Sequence, residues 1–167
     1  MNTYTPIHWG ARPDEHKLAS AALVTVSLVF ITAYGLANRL TQTRADVGTA
    51  VFDWERMIPF VGWTIVPYLS IVVFFAGSFF LCRDREQLRA HVQRLLAVLA
   101  ISLACFALWP LRFTFERPPT EGVIGALFDL LQMFDLPYNR APSLHISVLV
   151  LLWVRLMPRV QIGRAHV

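Results

Sequence analysis

The chain has 167 residues, 56% of them hydrophobic and only 16% charged, with a mean hydropathy of +0.51. That composition excludes an ordinary soluble domain. The net charge of +4 comes from arginines at the ends of apolar runs, where orientation and lipid headgroups explain them and no nucleic-acid partner is needed.

The apolar residues fall into four blocks. Leu18 to Leu36 is about nineteen residues without a charge, and Phe60 to Leu81 is about twenty-two. Leu95 to Leu111 is about seventeen, and a fourth run opens at Ile146 and continues to Met157. About twenty helical residues cross the hydrocarbon core of a bilayer, so the first three read as spans. The fourth reaches that length when its helix starts near Ser143. The first block is longer than the apolar core of a cleaved signal peptide and reads as a signal anchor. Cys82 and Cys105 sit in or beside apolar helices, as packed thiols rather than a disulfide framework.

Arginine placement orients the bundle. Arg83, Arg85, Arg89 and Arg94 crowd the connection between the second and third runs, which puts that loop and the amino terminus in the cytoplasm. The other face receives the segment from Arg112 to Pro142. Its arginines, Arg112, Arg117 and Arg140, run against the charge rule, and a bound anion would account for them.

Two amphipathic stretches lie on that outer face. In Ala45 to Phe60, Val47, Val51, Trp54 and Ile58 share one helical face. In Val123 to Leu136, the residues Val123, Ile124, Leu127, Phe128, Leu130, Leu131 and Phe134 do the same. Helices of this pattern lie in the interface or cap a bundle. With no internal repeat and no linker, residues 1–160 read as one all-α, polytopic transmembrane bundle of about four spans with interfacial helices.

The chemistry gathers at Pro142-Ser143-Leu144-His145. Proline followed by serine suits a helix start, where the serine hydroxyl caps free backbone N–H groups. The same hydroxyl, N–H groups and positive helix end suit phosphate oxygens. His145 is then placed to give a proton to a departing alkoxide. Upstream, Arg117 carries the planar fork suited to non-bridging oxygens, although it also fits a juxtamembrane anchor closing the third run. The arginine and the Ser-x-His pair fall on one membrane face. No cluster of metal ligands is visible, and this chemistry needs neither metal nor cofactor.

Arg117-Pro118 followed by Pro142-Ser143-Leu144-His145 resembles the first two signatures of the type-2 phosphatidic acid phosphatase superfamily. The leucine between serine and histidine is similar to the inositol phosphorylceramide synthase-like branch. So are Asp135-Leu136-Pro137-Tyr138-Asn139, Ile58-Pro59-Phe60-Val61-Gly62-Trp63 and Pro67-Tyr68. The resemblance covers roughly Met57 to Leu152. It implies a six-helix membrane enzyme with an outward active site, in the plasma membrane of a bacterium. It further implies that Arg117 and Ser143 bind the phosphate of a lipid and that His145 protonates the leaving group. A second histidine attacks phosphorus and forms a phosphohistidine, which water or an alcohol resolves.

Two departures qualify that pattern. Pro110 stands where the signature has a lysine, with Arg112 the nearest cation and a substitute at a different spacing. The third signature, which carries the nucleophile, is absent; His8, His16 and His91 all fall on the cytoplasmic side. Residues 161–167 read as a non-native tail, two helices short of the family plan. The expectation is a membrane phosphatase acting on a lipid phosphate, inactive in this form. The alternatives are a phosphotransferase moving a phospho-headgroup to a lipid alcohol, and a non-catalytic membrane protein.

Overall fold

The computed structural model describes residues 13–49, 51–114, 118–134, 136–139 and 141–164, with backbone alone at 13, 53, 134 and 156–164. It is all-helical apart from one two-residue strand pair. Helix α1 spans Pro13–Gln42, α2 Ile65–Phe80, α3 Arg85–Leu108, α4 Gly122–Phe134 and α5 Leu144–Arg164. Strands β1 (Gly48–Thr49) and β2 (Leu111–Arg112) pair in parallel, Gly48 opposite Leu111 and Thr49 opposite Arg112.

Three stretches are long and apolar enough to cross a membrane: Asp14–Gln42, Gly62–Phe80 and Arg85–Leu108. The protein is therefore embedded in a membrane. Their outward faces carry bare apolar side chains, among them Leu28, Ile31, Val73 and Ile101, as lipid-facing surface should. In α5 the apolar part with described side chains is shorter, Leu144–Arg155. Its backbone runs on helically to Arg164, through residues 161–164 that read as a tail; residues 165–167 lie outside the described residues.

Local chemistry explains where these helices begin. Pro13 opens α1, followed by Asp14 and Glu15, whose charges favour the positive end of the helix. A 3₁₀ turn at Gly62–Thr64 leads into α2, and Pro67 sits in the first turn, where a missing N–H costs no intrahelical bond. Asp84 caps α3: its carboxylate accepts the Gln87 N–H at 2.8 Å, while the Gln87 side chain reaches back to the Arg83 N–H at 3.3 Å. That cap corrects the sequence reading. Arg85, Arg89 and Arg94 belong to the first turns of α3, so the connection from α2 is a tight turn and not a long basic loop.

Four helices make the bundle. α1 packs on α2 and α3, and α5 packs on the same two from the other side. Ala19 and Val26 of α1, Phe79 of α2, Leu88 and Leu95 of α3, and Val148 and Leu152 of α5 form the shared core. Since lipid is as apolar as these side chains, their contribution is close packing rather than escape from water. Phe30 on Phe75 (ring centroids 5.7 Å) and Tyr34 on Phe106 (6.1 Å) extend that packing toward α5's starting end.

The amphipathic expectations divide. α4 forms as expected, and Ile124, Leu127, Phe128 and Leu131 make its half-buried face, with Phe128 against Phe60 at 5.5 Å. Val123 and Leu130, assigned to that face, point outward instead. They lie about a hundred degrees round the helix from the packed row, and that row is set by the contact with Phe60. Gly125 packs against the Thr120 carbonyl, which lies where a side chain would begin and leaves no room for a Cβ. Ala45 to Phe60 does not form a helix. Gly48 and Thr49 pair with β2, and only a 3₁₀ turn at Asp53–Met57 remains. Glycine and threonine are weak helix formers, and the neighbouring chain offers their backbone a ladder.

Candidate functional site

The starting ends of α2 and α5 lie side by side, which brings Tyr68 of α2 to His145 of α5. The two rings stack with centroids 4.2 Å apart and planes 21° from parallel. The Tyr68 hydroxyl is 3.1 Å from His145 Nδ1, donating or accepting according to the imidazole tautomer. The contact fixes both the plane of the imidazole and the nitrogen it turns toward α2. Tyr68 was legible in the sequence only as part of Pro67-Tyr68; its pairing with His145 needed the fold.

Ser143 stands immediately before α5. Its Oγ accepts the Ile146 N–H at 3.4 Å, a long cap bond, while its carbonyl accepts both the N–H and the hydroxyl of Ser147 at 3.0 Å. Pro142 lies outside α5, which begins at Leu144, rather than in its first turn. The cap is therefore real but weak. The first turn of any helix presents N–H groups with no acceptor inside the helix, together with the positive end of its dipole.

Arg112 reaches this end through the backbone. It sits in β2, exposed, and bridges antiparallel to Tyr138, five residues before Ser143. The Phe113 N–H donates to the Pro137 carbonyl and the Asn139 N–H to the Leu111 carbonyl, both at 2.8 Å. The segment leading into Ser143 is thus stitched to the strand that carries Arg112. Arg117 and Arg140 lie outside the described residues.

Asn139 adds a contact that periodicity could not reveal. Its Oδ1 accepts from the Thr41 hydroxyl at 2.9 Å, and its Nδ2 donates to Asn38 Oδ1 at 3.1 Å, tying the segment to the last turns of α1. A second tie on the same rim is Arg44. Its guanidinium grips Asp46 through two bonds of 2.8 and 2.6 Å and also donates to the Ala107 carbonyl at the end of α3. The hydrogen bond to Arg44 holds the Asp46 carboxyl below the ordinary aspartate range, and the same bond raises Arg44 further.

The remaining histidines with described positions lie at the other end of the bundle. His16 is in the first turns of α1, 6.3 Å from the Phe80 ring, and His91 is in the second turn of α3, buried against Phe79. Cys82 and Cys105 are free thiols, at opposite ends of the bundle. No three of the described His, Cys, Asp and Glu residues come together as a metal site. Comparison with family models, curated proteins and solved structures returns no match for the chain.

Proposed function

We propose that this membrane protein carries the phosphate-binding and proton-donating half of a phosphatidic acid phosphatase-type site for a lipid phosphate. The observation that carries the reading is His145 held on Tyr68 directly behind the Ser143 cap. In the proposed reaction a histidine nitrogen attacks phosphorus and the P–O bond to the lipid alkoxide breaks, its electron pair staying on that oxygen. His145 gives the alkoxide a proton. Ser143, Arg112, Arg117 and the start of α5 hold the non-bridging oxygens. Water then releases phosphate from the phosphohistidine; a lipid alcohol in its place gives the phosphotransferase alternative.

The nucleophile in this reading is a histidine other than His16 and His91, which stand at the far end of the bundle; His8 and His166 lie outside the described residues. By this reading the 167 residues alone bind phosphate and release none. With α5 counted as a fourth span, Ser143 and His145 face outward from a bacterial plasma membrane. The exposed Arg83, Arg85 and Arg89 at the opposite end support that orientation.

A second reading has its own support: the Ile146 N–H on Ser143 Oγ is what a plain helix cap requires, in a membrane protein without catalysis. The test is titration of the purified chain in detergent with inorganic phosphate, followed by ³¹P line width, beside an assay of phosphate release from a lipid phosphate. Binding weakened by Arg112→Ala and Ser143→Ala, without release, is expected. Absence of binding supports the plain cap. Release that depends on His145 would overturn the view that the nucleophile is missing.

A further inference from the structure

Two unusual features of Asn139 and one of its partner Asn38 gather at the same end of the bundle. Asn139 takes a positive φ of 58°, uncommon for a residue with a side chain. Its amide is 2% exposed in a membrane protein, where buried polar groups are costly. The network it makes is incomplete: Asn38 Nδ2 is buried and has no hydrogen-bond partner among the described residues. Departures of this kind persist where the surroundings need a particular geometry.

That geometry is visible in what Asn139 joins. Its N–H ties the 136–139 segment to Leu111, beside Arg112, and its side chain ties the segment to Thr41 and Asn38 of α1. Ser143 and His145 follow within two turns of chain. Thr41 and Asn38 are themselves buried, at 4% and 1% exposed, so the anchor point on α1 is rigid. We infer that Asn139 is a positioning residue: its amide clasps the segment before α5 to α1 and so fixes where His145 meets Tyr68 and where Ser143 opens α5. The inference rests on the proposed phosphate site for its functional meaning, but the clasp itself is a statement about His145.

The experiment uses the full chain in detergent micelles with ¹⁵N-labelled histidines. It reads the ring nitrogens of His145 and His91 and the ³¹P line width of added inorganic phosphate. Thr41→Val removes one bond of the clasp, and Asn139→Gly keeps the positive φ while removing the amide. Both are expected to shift the His145 signals, leave those of His91 in place, and weaken phosphate binding about tenfold. Thr41→Ser, which restores the hydroxyl, should return both readouts to those of the parent. Unshifted His145 signals in folded variants overturn the clasp. Loss of the His91 signals in Thr41→Val overturns it too, since the network would then hold the whole bundle. If His145 shifts but the parent chain binds no phosphate, the clasp stands and the phosphate reading falls.

Discussion

His145 and His91 occupy opposite ends of one bundle and are held in opposite ways. His145 is half-buried at a helix start, stacked on Tyr68 with its Nδ1 3.1 Å from the Tyr68 hydroxyl. His91 is fully enclosed. The Ser78 hydroxyl lies 2.6 Å from the Phe75 carbonyl and 2.7 Å from His91 Nε2, donating or accepting toward the ring according to the imidazole tautomer. Its Nδ1 is buried with no hydrogen-bond partner among the described residues. Nearby, Arg155 of α5 donates to Cys82 Sγ at 2.9 Å. Arg155 and His145 share α5, ten residues or about 15 Å apart at 1.5 Å per residue. In the proposed reaction one imidazole gives up a proton at the rim; the other is packed in the core.

The largest expected effect separates the two at once. In an active protein built on this bundle, His145→Ala should slow cleavage of the phosphate ester about 10²–10⁴-fold, the usual contribution of general acid catalysis. His91→Ala should leave the rate per folded molecule unchanged. Single-turnover assays on matched folded fractions check this, and equal losses at both positions would erase the distinction between the two ends.

Stability should invert the order. His91→Ala leaves a cavity and strips the Ser78 hydroxyl of its ring partner, so it is expected to cost about 2–3 kcal/mol. His145→Ala removes a half-exposed ring and should cost less. Unfolding in mixed micelles gives the comparison, and Ser78→Ala combined with His91→Ala should cost less than the sum of the two, because the pair shares one bond.

Much of this contrast could be read before the fold was known, and the reasons for the rest are local. Leu18–Leu36 and Phe60–Leu81 announced membrane helices because blocks of apolar residues without charge have few other uses. The start of α5 at Ser143 was legible because proline followed by serine suits the beginning of a helix. The extent of α3 was not: arginines look like loop, and only the Asp84 cap with Gln87 reveals that the helix begins among them. Nor was the Ala45–Phe60 segment, whose apolar spacing mimics a helix while its backbone is claimed by β2. Asn139 joins partners about a hundred residues away, which no periodicity records. Tyr68 escaped for the same reason, since its partner is 77 residues on.

A smaller effect tests the weak cap. Ser143→Ala should destabilise the start of α5 by about 1 kcal/mol or less, given the 3.4 Å length of its bond to Ile146. It should also weaken phosphate binding more than that loss implies. If binding falls only in step with stability, Ser143 is a cap and the rim has lost one of its ligands.

The smallest effect concerns two arginines, and it sharpens the comparison through pH. Arg155, at the His91 end, rests against a thiol, whereas Arg44 on the rim grips the Asp46 carboxylate and the end of α3 together. The hydrogen bond from Arg44, helped by the opposite charge, lowers the Asp46 carboxyl below its ordinary 3.8, against a smaller desolvation effect. A depressed folded-state pKa means that the contact contributes in full above the ordinary aspartate range. It is lost as pH falls through the lowered value. The pair is solvent-exposed, so the change should be slight and weaker still in salt. NMR titration of the Asp46 carboxyl should give a midpoint below that of an unfolded aspartate. Acid should loosen β1 and the end of α3, and Asp46→Asn should abolish that part of the response. A midpoint at or above the ordinary range would mean that Arg44 does not hold the rim. The ends of the bundle would then differ in their histidines alone.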